Sequence, residues 1–105
     1  MSEIFVFSSG NGYAYVDIQY PYDGQQVHLS AIPDLNEQLV DIQARDHNGY
    51  AIALATVEDQ DFIYQDTWGD MTIEVYFSGS TPPPPPPPQP QPWMWAILKR
   101  RKRNL

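Results

Sequence analysis

Cysteine is absent from this chain of 105 residues, which excludes disulfides, thiolate metal ligands and cysteine nucleophiles. Histidine occurs twice, at His28 and His47. Basic residues are almost missing from the first 81 positions, where Arg45 stands alone against all 13 acidic residues, spread from Glu3 to Glu74. Long apolar runs are missing too. The six-residue stretch Trp93 to Leu98 is far short of the roughly 20 residues a spanning helix needs. The opening MSEIFVF has no basic region and its apolar run stops at Phe7, so no secretion signal is expected and a cytoplasmic localisation fits.

What is present suits one globular domain. Hydrophobic residues make up 42% and charged residues 18%, too apolar for a disordered acidic chain. Seven segments read as strands, separated by turn residues: Ile4–Phe7, Tyr13–Tyr20, Val27–Ile32, Gln38–Ala44, Tyr50–Thr56, Phe62–Gln65 and Met71–Phe77. In the second, Ala14, Val16, Ile18 and Tyr20 alternate with Tyr13, Tyr15, Asp17 and Gln19. Pro21 ends it, and Asn48-Gly49 marks a two-residue hairpin. The spacing predicts an all-β fold, a small antiparallel sandwich or barrel of about seven strands. One segment, Leu35–Arg45, follows the cap-like Asp34 and also admits a helix.

Beyond residue 78 the composition changes abruptly. Nine of the 11 prolines lie between Pro82 and Pro92. Consecutive prolines lock φ and remove donors, so polyproline II is expected, a semi-rigid stalk reaching roughly 34 Å. After it, Trp93, Met94, Trp95, Ala96, Ile97 and Leu98 form an apolar block, and Lys99, Arg100, Arg101, Lys102 and Arg103 a basic one. Residues 1–81, with one basic and 13 acidic side chains, carry −12. The last 24 residues carry +5, for a total of −7. The division expected is an acidic β domain over 1–78, a proline-rich stalk over 79–92 and an anchor peptide over 93–105.

The anchor peptide is the strongest functional signal. Tryptophan and arginine are enriched at binding hot spots, and two tryptophans left free in water favour aggregation. Trp93, Met94, Trp95, Ile97 and Leu98 are therefore expected to fill a partner's groove, while Lys99, Arg100, Arg101, Lys102 and Arg103 pair with acidic groups or phosphates. Five charges neutralise only about five phosphates, so nucleic acid is not the partner expected. The proline run also offers PxxP ligands, but its position between two informative segments favours a spacer.

Signals for catalysis are weaker. His47 lies in the turn Asp46-His47-Asn48-Gly49, and His28 alternates with Val27 and Leu29, which points it outward. No nucleophile elbow and no glycine-rich phosphate loop occurs. Glu58, Asp59, Asp61 and Asp66 could gather around calcium, yet their spacing does not match the twelve-residue calcium loop, and a solvated acidic loop is the plainer reading. No catalytic residue, metal or cofactor is expected.

An acidic β domain, a proline stalk and an apolar-plus-basic anchor together resemble, in general plan, the small decoration and minor structural proteins of bacteriophage particles. That resemblance implies a non-catalytic structural protein of a virion, with a capsid or other assembly subunit as partner and neighbouring copies of itself close by. The alternatives are a peripheral membrane or cell-envelope adaptor using the Trp and basic tail, and an acidic inhibitor that mimics DNA.

Overall fold

Alternating apolar residues bounded by glycine, proline and Asx turns build seven strands. A computed structural model describes residues 2–88. The strands are β1 (Ile4–Ser9), β2 (Gly12–Val16), β3 (Gln26–Pro33), β4 (Leu39–Arg45), β5 (Ala51–Ile52), β6 (Asp59–Ile63) and β7 (Met71–Phe77), with one 3-10 turn over Asp66–Trp68. They form two sheets, in the orders β1-β7-β4-β5 and β2-β3-β6. The all-β expectation holds, and the two sheets do not close into a barrel. The segment Leu35–Arg45, which admitted a helix, forms strand β4 from Leu39 onward.

Not every pair is antiparallel. β1 and β7 run parallel, Ile4 facing Met71 and Ser9 facing Tyr76. Parallel neighbours need a long crossover, and here the five intervening strands supply it. Because the sequence distance is so large, no turn constrains the direction of this pair, and the alternation rule is silent about it.

The core lies between the sheets. Ile4, Val27, Leu29, Ala31, Ile42, Ala44, Phe62, Tyr64, Met71, Ile73, Val75 and Phe77 are buried there. On β7 every second residue faces inward, as the alternation over Met71–Phe77 predicts. Tyr64 lies at the centre, its hydroxyl donating to the Gly69 carbonyl at 2.5 Å and its ring edge-on to Trp68.

Only β7 keeps its expected bounds, and three strands differ from theirs by more than two residues at one end. β2 stops at Val16 rather than Tyr20, because the chain leaves β3 and the Gln19 carbonyl accepts from Ile4 N of the other sheet at 2.8 Å. β5 has two residues rather than seven: past Ile52 the backbone of Ala55 is bonded, N–H and carbonyl, by the side-chain amide of Gln60. β6 starts at Asp59, three residues before Phe62, because Asp59 and Asp61 pair with Ser30 and His28. The β4–β5 loop is longer than two residues. Asp46 N–H donates to the Tyr50 carbonyl, Gly49 sits at φ 87°, and the Asp46 carboxylate accepts from the N–H groups of Asn48 and Tyr50. This is a three-residue loop with glycine in the left-handed position.

The proline run begins against the domain. Pro83 carbonyl accepts from Gln43 Nε2 at 2.7 Å, and Pro87 carbonyl accepts from Ala51 N at 2.8 Å. Proline cannot donate to a ladder but can accept, so the run satisfies the N–H of the short outermost strand β5 and offers no donor to a further strand. As far as Pro87 the proline run is laid along the sheet, and the remainder of the stalk expected over 79–92, from residue 89 on, lies outside the described residues.

Candidate interaction surfaces

The outward face of the three-stranded sheet collects the residues that alternate away from the core. On β2, Tyr13 and Tyr15 stack at 6.3 Å with 16° between the rings, and they are 53% and 49% exposed. Across the pairing, Tyr13 faces Ile32 and Tyr15 faces Ser30. Ser30 in turn faces Asp59, and His28 faces Asp61. His28 Nδ1 lies 2.8 Å from Asp61 Oδ1 and Nε2 lies 3.2 Å from Asp59 Oδ1. The hydrogen bond to Asp61, then that to Asp59, raises the imidazole pKa above its ordinary value. With both ring nitrogens engaged by carboxylates, His28 is arranged as a cation inside an acidic frame. The Asp17 carboxylate closes that frame by accepting from the backbone N–H of His28 at 2.8 Å.

The outward face of the four-stranded sheet is polar at its centre. Glu74 on β7 accepts from Arg45 on β4 and from the Tyr76 hydroxyl. Burial, reinforced by the bond to Glu74, pushes the Tyr76 phenol up to about 12. Gln43, only 6% exposed, donates to Asp41 as well as to Pro83. Phe5 and Phe7 on the edge strand β1 are exposed beside this cluster.

A groove runs along one open side of the sandwich, between edge strands β1 and β2. Ile4, Val6, Ala14, Tyr15, Val16 and Gln19 line about 260 Å³. Val6, Ala14 and Val16 are only partly buried there while packing on the core. Gln19 Nε2 donates to Glu3 Oε2 at 2.6 Å at one end, and Glu3 N–H donates to Asp70 Oδ1 at 2.9 Å. A smaller space of about 130 Å³ lies on the opposite side, between β4, residues 51–54, Pro85 and Pro86.

The residues singled out in the sequence are distributed unevenly over this surface. Trp93, Met94, Trp95, Ile97, Leu98, Lys99, Arg100, Arg101, Lys102 and Arg103 lie outside the described residues. His28 faces outward, and His47 sits in its turn, N–H bonded to the Trp68 carbonyl, with its ring against Gly69. Asp59 and Asp61 are strand residues that hold His28, so they do not form a loop with Glu58 and Asp66. Among the described residues no three acidic or histidine side chains are gathered as metal ligands, and no helix is long and apolar enough to cross a membrane. The His28 frame escaped the sequence reading. Its one trace there is Asp59-x-Asp61 at strand spacing. The groove leaves no trace, because it forms between strands of different sheets. Compared with family models, curated proteins and solved structures, the chain matches none.

Proposed function

We propose that the chain is a non-catalytic structural and interaction protein, built into a larger assembly through Trp93 to Arg103. The assembly we envisage is a particle shell of the kind that small bacteriophage decoration proteins cover. The observation that carries this reading is the apolar block Trp93 to Leu98 followed at once by the basic block Lys99 to Arg103, and the half-exposed Tyr13–Tyr15 stack supports a further contact surface on the domain. Rigid tyrosines present large contact area at low entropic cost. The one exposed imidazole on that face supports binding over chemistry, since both its nitrogens are taken by carboxylates and neither is free to accept a substrate proton.

The test is incorporation. Large particles from the native source are separated on a density gradient, and the chain is followed by antibody. Wild type is expected in the particle fraction. The double variant Trp93→Ala, Trp95→Ala is expected at the top of the gradient, with an unchanged circular dichroism spectrum. Equal incorporation of the double variant overturns the anchor, and wild type confined to the top of the gradient overturns the assembly.

A further inference from the structure

The groove between β1 and β2 and the segment that leaves the domain near β5 lie on opposite sides of the sandwich. β1 and β5 are the two edges of the four-stranded sheet. Pro87 is fastened to Ala51 on β5, and 17 further residues follow Pro88. The groove at the other edge is lined by apolar side chains of Ile4, Val6, Ala14 and Val16. The space, about 260 Å³, is an open groove and not an enclosed cavity, so a ring laid in it would keep one edge in water.

We infer that this groove is the receptor for the Trp93–Arg103 segment of a second copy of the chain, with Trp93 or Trp95 seated between β1 and β2. The inference rests on the reading of that segment as a docking peptide and names one of its partners. Two observations select this occupant. The first is charge. The segment carries Lys99, Arg100, Arg101, Lys102 and Arg103, whereas residues 1–81 hold Arg45 as their one Lys or Arg beside 13 acidic residues. The Gln19 end of the groove holds Glu3 and Asp70, with Asp17 following β2 directly. A groove that mixes aliphatic side chains with Tyr15 and Gln19 and is acidic at one end matches a segment that is apolar and aromatic first and basic after.

The second is position. Three strand spacings of about 4.8 Å put β5 roughly 14 Å from β1 in a straight line through the sheet. The path around the sandwich is longer. The described residues end at Pro88, on the β5 edge and opposite the chain's own groove, so the segment that follows is offered to the groove of a neighbour. Donor on one edge and acceptor on the other make a heterologous contact, which propagates into a ring or a row of copies.

The test uses a labelled peptide of residues 89–105, titrated into the full chain carrying Trp93→Ala and Trp95→Ala, whose groove is intact and whose own tail is disarmed. Fluorescence anisotropy is expected to give saturable one-to-one binding. It should weaken at least about tenfold between 50 and 500 mM salt, as screening removes the ion pairs. Adding Ala14→Arg to the receptor, which fills the groove with a like charge, is expected to weaken binding at least tenfold, with folding checked by circular dichroism. Should that variant not fold, Gln19→Lys at the exposed rim is expected to weaken binding about threefold at low salt. Wild-type chain alone should associate with concentration in sedimentation velocity, and the Trp93→Ala, Trp95→Ala chain should remain monomeric. A peptide that does not bind, or binds the folded groove variants unchanged, overturns the inference. So does a wild-type chain that stays monomeric at every concentration. Loss of the double variant from native particles alongside a non-binding peptide would leave the anchor standing and remove the second copy as its partner.

Discussion

At His28 the charges on two neighbouring strands decide how one side chain titrates. Its bonds to Asp61 and Asp59 raise its pKa above the 6.5 of an unperturbed imidazole. Proton binding is then stronger in the folded than in the unfolded chain. The resulting stabilisation is complete below the unfolded pKa and disappears as pH rises through the folded one. We predict that the urea midpoint of wild type exceeds that of His28→Gln at about pH 5.5 and that the gap shrinks by about pH 9. A gap that is flat with pH would mean that His28 is not held as a cation. The outward placement of His28 follows from simple alternation and is legible in the sequence, whereas alternation puts Tyr13 and Tyr15 on one face and only the structure shows that this face is exposed. The partners of His28 are not, because Asp59 and Asp61 lie 31 and 33 positions away, and only strand pairing brings them into register.

Among the elements, β7 and β5 mark the two ends of what local pattern can specify. β7 is central, paired on both sides by β1 and β4, and its seven residues match the alternating run in the sequence to the residue. β5 also begins with good strand residues, yet only Ala51 and Ile52 pair. Its further course is set by the Gln60 side chain and by the proline run, neither of which is local to it. The run is held by Gln43 at Pro83 and by Ala51 at Pro87. Replacing Gln43 by Leu leaves the Pro83 carbonyl and the Asp41 carboxylate without this donor, and should cost about 1 kcal/mol. It should also speed hydrogen exchange at the Ala51 amide, as measured by NMR. Unchanged exchange at Ala51 would show that the two fastenings act independently.

For the molecule as a whole, the four-stranded sheet is tied together at Ile73, which faces Val6 on one side and Ala44 on the other and is fully buried. Ile73→Ala should cost about 2–5 kcal/mol, a large part of the stability that a domain of this size possesses. Thermal unfolding of that variant should fall well below wild type. Composition and alternation alone determined that this chain is an all-β acidic domain followed by a proline segment and an apolar-plus-basic tail. Burial of one strand face and the locked φ of proline act within a few residues, so they can be read along the chain. Only the tertiary structure decided that the first and last strands run parallel, that the prolines begin by lying along β4 and β5, and that a groove opens between β1 and β2. Each of these depends on contacts between segments tens of residues apart, where the chain's own order imposes no direction or register.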